Sequence, residues 1–149
     1  MIKYDRKKAA GVLRAYPAMK NALCNLEEQI QAEGDLLTAC KQHTPTEKEL
    51  YSAKEHLFIY ENLILQRNLV ATRIRAIERS LSALDEMERS MLTSFFLKPY
   101  DRDTPFALME QYGYEKSQLY YYRSRALDRF AQNYGGLEVN VSDGRAGEG

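Results

Sequence analysis

From Val12 onward the apolar positions Val12, Tyr16, Met19, Leu23, Leu26 and Ile30 alternate steps of four and three. That spacing keeps one side of an α-helix apolar, and its seven-residue average is the one used by helices packed lengthwise on a partner. Pro17 interrupts the seam. It predicts a short first helix and a restart with Pro17 in the opening turn, where a missing N–H is tolerated. Gly34 weakens the far end, and the stretch KQHTPT reads as a loop. Thr44, Pro45 and Glu47 then match a capping box, with Thr44 as the cap, and predict a long second helix. Its seam is Tyr60, Leu63, Arg67, Val70, Ile74, Ile77, Leu81 and Leu84, with Arg67 the one polar intruder. Leu57, Ile64 and Ala71 broaden the stripe, which suits a helical hairpin or bundle better than an isolated two-stranded coil. The first helix folded back antiparallel is one partner for this seam and a second copy of the chain is the other. Both hold at once in a dimer of hairpins. Tyr60, Leu63, Arg67, Val70, Ile74, Ile77 and Leu81 are therefore the expected oligomerisation residues.

Downstream the helical segments become short. Asp85 is placed to cap EMERSMLTSFFL, whose Met87, Met91, Leu92, Phe95 and Phe96 form an apolar face. After the loop KPYDRD, Thr104 is the expected cap of TPFALMEQY, with Pro105 at the first helical position and Gly113 ending the helix at a positive φ. EKSQLYYYRSRALDRF follows, with Leu119, Tyr122, Ala126, Leu127 and Phe130 at helical spacing. A short helix, a glycine turn and a longer helix that opens with polar and aromatic residues is the layout of a helix-turn-helix. Beyond Tyr134 the sequence is rich in glycine, and residues 135–149 are expected to be a disordered tail. No alternation typical of strands and no internal repeat stands out, so the expected fold class is all-α.

Composition removes several functions. Acidic and basic residues balance at 21 each, so no global field draws the chain to nucleic acid or membrane, and any grip on DNA has to be local. There is no membrane-length apolar run and no signal-peptide core, which predicts a cytoplasmic protein. Cys24 and Cys40 make no C-x-x-C pair and there is no His cluster, so neither a metal nor another cofactor is expected. His43 and His56 lack a paired nucleophile, and no Gly-rich phosphate loop is present. An enzyme is the least supported class.

The second helix of the motif, taken as residues 116–131, carries the candidate chemistry. Lys116, Ser117, Gln118, Tyr120 and Tyr121 lie on its first turns, where such a helix meets base edges in the major groove. Ser124 lies one turn further along. Arg123, Arg125 and Arg129 follow, with Lys98 and Arg102 in the preceding loop. Lys98, Arg102 and Arg129 are expected phosphate contacts that fix register without reading sequence, and Arg123 and Arg125 sit close enough to the first turns to join the DNA-contacting set.

The run from Leu84 to Phe130 resembles the promoter-reading C-terminal domain of sigma factors. More closely, it is similar to phage-encoded late-gene transcription regulators of the ArpU/RinA type. In that family an L-x-x-x-E-R helix precedes a two-helix reader ending in R-x-A-L, matched here by Leu84, Glu88 and Arg89 and by Arg125, Ala126 and Leu127. The Tyr16-Pro17 pair ahead of a charged heptad helix is also similar to the N-terminal part of such proteins. Met109 stands where the family usually has a small residue, and Glu115 where it tends to have serine. The resemblance implies sequence-specific binding to double-stranded DNA and activation of late or packaging genes, together with host RNA polymerase. The domain plan it suggests is a helical hairpin or coiled coil over 1–84 for oligomerisation, with a dimer favoured, and a sigma-like helix-turn-helix domain over 85–134. A phage small terminase subunit that recognises packaging-site DNA shares that plan. A helical adaptor using the Tyr120–Tyr122 face to bind protein is the alternative from a different class.

Overall fold

The structure is a computed structural model and describes residues 2–39 and 46–139. As the periodicities predict, it is all-α: α1 (Arg6–Ala39), α2 (Glu47–Ser82), α3 (Glu86–Leu92) continuing into a π-helical turn (Thr93–Leu97), α4 (Thr104–Tyr112) and α5 (Lys116–Tyr134). α1 does not restart at Pro17. It runs through the proline as one helix, because leaving one carbonyl without its intrahelical donor is less costly than breaking an apolar seam that continues on both sides. α2 begins at Glu47, with the Thr46 hydroxyl accepting the Glu49 N–H at 3.2 Å. The cap expected at Thr44 and Pro45 lies outside the described residues.

The chain divides into two compact units, Ala18–Arg75 on one hand and Met1–Pro17 with Ala76–Gly149 on the other. This differs from the boundary expected at residue 84, since the first seventeen residues belong with the C-terminal ones. In the unit Ala18–Arg75, α1 and α2 pair as an antiparallel hairpin. Late α1 meets early α2, with Glu33 Oε2 2.6 Å from His56 Nδ1 and the Tyr60 ring against Gly34. Leu63 and Ile74 are buried on the face that carries Tyr60, and Tyr60, Arg67 and Val70 are half-buried there.

In the other unit, Ala9, Ala10 and Leu13 on the first turns of α1 are buried, and so are Ile77, Leu81 and Leu84 from the end of α2. Polar groups around this core tie the first turns of α1 to three later elements. Arg6 donates two hydrogen bonds to Asp128 of α5 at 2.9 and 2.8 Å, and the Arg14 guanidinium lies 5.1 Å from the centre of the Phe96 ring. The Tyr16 hydroxyl donates to Glu78 Oε2 at 2.7 Å. Partial burial and the adjacent carboxylate raise the Tyr16 phenol from 10.0 to about 12, because ionising it would set two negative charges side by side. A folded-state pKa above the unfolded one means that the contribution of Tyr16 is fully present below pH 10 and is lost as the pH rises toward 12. In an alkaline absorbance titration of the folded protein, Tyr16→Phe is expected to remove one phenol from the upper limb, near pH 12. An unchanged upper limb would rule the pairing out.

Asp85 caps α3 as its position suggests, and the cap is reciprocal. Asp85 Oδ1 accepts the Glu88 N–H at 2.7 Å while Glu88 Oε1 accepts the Asp85 N–H at 3.1 Å. Together these satisfy two donors that the start of a helix leaves orphaned. Arg89 closes the other side of the junction. Its guanidinium donates to the carbonyl of Leu81 in the last turn of α2 at 3.2 Å and to that of Leu84 in the link to α3 at 2.8 Å.

Residues 135–139, the first of the expected tail, are part of the fold. Gly135 and Gly136 turn the chain at φ +86 and +76, and Leu137 is buried. Tyr4 and Glu138 then form an antiparallel bridge, flanked by Asp5 N–H to Leu137 O and Val139 N–H to Lys3 O, both 2.8 Å. Residues 140–149 lie outside the described residues.

Candidate nucleic-acid interface

α4 ends at Gly113, whose φ of +69 turns the chain and whose N–H returns to the carbonyl of Met109. A side chain at this position would be strained in that left-handed conformation, so the turn needs its glycine. Thr104 is the first helical residue of α4 rather than its cap, a shift of one position. α5 starts at Lys116, and the Glu115 N–H donates to Gln118 Oε1 at 3.0 Å.

The two helices rest on a shared core. Met91 of α3, Leu108 of α4 and Leu119 of α5 are buried together, ringed by Met87, Phe95, Met109, Tyr112, Tyr114 and Tyr122. The thioether of Met109 thus helps fill the seam between the helices. Tyr112, Tyr114 and Tyr122 stack in series at centroid separations of 5.8 and 4.9 Å, carrying aromatic packing from the end of α4 across the turn to α5. Further along α5, Ala126, Leu127, Phe130 and Ala131 are buried.

This anchoring sorts the candidate residues. Lys116, Ser117, Gln118 and Arg125 are exposed, and Tyr121 is 58% exposed with Arg125 5.8 Å from the centre of its ring. Ser124 is half-buried on the same side. Ser117, Tyr121, Ser124 and Asp128 follow steps of four, three and four, which puts them on one outward stripe. Asp128 would set a carboxylate on that stripe, but Arg6 neutralises it bidentately. No sequence signal marked Arg6, because its partner lies 122 residues away.

Three candidates are engaged by the fold instead. The Arg123 guanidinium is wedged among the rings of Tyr120, Phe95 and Phe96 at 4.5, 4.9 and 5.9 Å, and its buried Nε has no hydrogen-bond partner. Burial lowers its pKa, with the charge of Arg14 adding to the effect. Tyr120 is half-buried against Phe95. Arg129 donates to the buried Glu88 carboxylate at 2.8 Å, with Asp85 4.0 Å away. These side chains are held by the fold, whereas Lys98 and Arg102 in the loop before α4 are exposed. The motif residues are architectural as well. Leu84, Ala126 and Leu127 are core, Glu88 holds Arg129, and Arg89 caps α2.

No family model matches the chain, and neither a curated protein nor a solved structure matches it. The site therefore has to be read from its own chemistry. The exposed residues of α5 at and beside the outward stripe combine an amine, a guanidinium, hydroxyls, an amide and one aromatic ring, the mixture that reads base edges and phosphates. Among the described residues no group of three or more His, Cys, Asp or Glu is placed to hold a metal ion. No helix among them is long and apolar enough to cross a membrane.

Proposed function

We propose that the chain is a sequence-specific DNA-binding regulator of phage transcription, an activator of late or packaging genes that reads the major groove with the start of α5. The observation that carries this reading is the outward stripe. Ser117, Gln118, Tyr121 and Arg125 project from a helix locked on its other side by Leu119, Ala126, Leu127 and Phe130, and Lys116 is exposed at its first position. A reader needs such rigidity, because base discrimination depends on donors held in place before contact. The phage and late-gene assignment rests on the resemblance of the stretch Leu84–Phe130, and host RNA polymerase is the partner it implies. The protein acts in the cytoplasm, as a homodimer, because one near-neutral module has few charges with which to hold DNA alone.

Fluorescence anisotropy with phage promoter DNA and random DNA, at several salt concentrations, tests the reading. Lys116→Ala/Tyr121→Ala is expected to weaken binding to the preferred site by about 10- to 100-fold and to erase its advantage over random DNA. A residual salt-dependent term should remain. With Lys98, Arg102 and Arg125 as the phosphate-facing cations, the slope of log K against log salt is expected near about −3 per copy. Absence of binding at low salt, or indifference to the double substitution, would sink the proposal.

A further inference from the structure

α2 carries a second apolar stripe, away from its hairpin seam. Tyr51, Phe58, Leu65 and Leu69 are 69%, 69%, 58% and 56% exposed. Steps of seven, seven and four hold them on one face, with Asn62 between Phe58 and Leu65 at helical spacing. At 3.6 residues per turn this face lies about 160° around the helix from the Tyr60–Ile74 seam. The hairpin itself offers little interior. In the unit Ala18–Arg75 the buried apolar side chains among the described residues are Leu63 and Ile74, fewer than the large apolar groups this one stripe leaves in water. A helix apolar on two opposite sides is built to be covered on both.

We propose that this stripe pairs with the same stripe of a second copy, antiparallel, about a two-fold axis at Asn62. The charge order along α2 selects both the occupant and its direction. Beside the stripe, Glu47, Glu55 and Glu61 outnumber Lys48 and Lys54 in the first half, while Arg73 is the charged residue flanking it in the second. Antiparallel pairing lays each acidic half beside a basic half, and parallel pairing would stack like on like. In the antiparallel register Asn62 falls opposite itself, where two amides can bond and fix the alignment, as one polar residue does in a coiled-coil seam. Phe58 then meets Leu65 of the second copy, and Tyr51 comes beside its Arg73, within the reach of a cation–π contact. The four large side chains offer about 500 Å² per copy, so that with their neighbours Leu50, Leu57 and Ile59 the pair reaches the lower range of specific interfaces. The two-fold arrangement also closes the assembly at two copies. This deepens the homodimer of the proposed function but does not depend on DNA binding.

The full chain is tested by size-exclusion chromatography with light scattering. Wild type is expected to be a dimer. Phe58→Glu and Leu65→Glu, at exposed positions that should leave helicity by circular dichroism unchanged, are expected to weaken dimerisation at least about 100-fold. Direction is read by disulfide trapping in a Cys24→Ser/Cys40→Ser background. Asn62→Cys should cross-link to itself, and Tyr51→Cys should cross-link to Arg73→Cys but not to itself. A monomeric wild type, a dimer unmoved by both glutamates, or self-linked Tyr51→Cys would each overturn the inference. Loss of DNA binding by Tyr121→Ala in an intact dimer would bear on the reading helix alone.

Discussion

Removing residues 2–17 is expected to abolish the cooperative fold of the unit that carries the helix-turn-helix, although the motif itself begins almost ninety residues later. The reason is the core. Ala9 and Leu13 are completely buried and Ala10 nearly so, and without them whatever packs on these three side chains would border an open groove rather than a packed interior. Loss of a single fully buried leucine costs about 3–5 kcal/mol, against a total stability of about 5–15 kcal/mol for a domain. The deletion also strips Asp128 of Arg6, Phe96 of Arg14 and Glu78 of Tyr16, and it removes the backbone partners of Leu137 and Val139. Urea unfolding followed by tyrosine fluorescence should lose its sigmoidal transition for this unit. For the same reason an excised fragment 85–134 should not fold alone. A truncated chain that unfolds at the wild-type midpoint would show that the N-terminal turns are ornamental.

Phe130→Ala is expected to destabilise the same unit by about 3–5 kcal/mol, the range for emptying a fully buried aromatic site. Phe130 is 0% exposed and stacks on Tyr134 at a centroid distance of 5.5 Å. It sits on the side of α5 facing away from Tyr121, so the loss is one of packing. The denaturant midpoint should fall while the slope stays constant, since the surface exposed on unfolding barely changes. Tyr121→Ala, from an exposed position on the same helix, should shift the midpoint by less than about 0.5 kcal/mol. The contrast separates the side of α5 that holds the fold from the side assigned to DNA. Equal destabilisation by the two substitutions would remove that separation.

Much of this architecture could be read from the chain because its signals are local. Pro105, Gly113 and the spacing of Leu119, Ala126, Leu127 and Phe130 each specify their own turn of helix, and α4, α5 and the turn between them form where those residues indicate. What escaped notice was set by partners distant in sequence. Arg123 and Arg125 look alike as letters, but only Arg123 has Phe95 and Phe96 beside it. Arg129 resembles a phosphate contact until Glu88, 41 residues earlier, is seen to hold it. The regular seam from Tyr60 to Leu84 drew attention from the sparser stripe of Tyr51, Phe58, Leu65 and Leu69. Two alanines and one leucine near the N-terminus gave no hint that they are buried in the same unit as a distant motif. The continuity of α1 through Pro17 was hidden too, since a proline sets a local penalty but does not say what the packing on either side can offset.

The pairing of Lys3 and Asp5 with Leu137 and Val139 has a consequence for how the chain assembles as it leaves the ribosome. The hairpin of Ala18–Arg75 is contiguous, and its helices can associate once about half the chain has emerged. The other unit cannot close until its last segment arrives, because contacts of such sequence separation wait on the far end of the chain. Until the segment around Leu137 has been made, the first turns of α1 therefore present unsatisfied apolar side chains to whatever chaperone is at hand. Ala9, Ala10 and Leu13 are made before α2 to α5 and wait for the later elements to be buried.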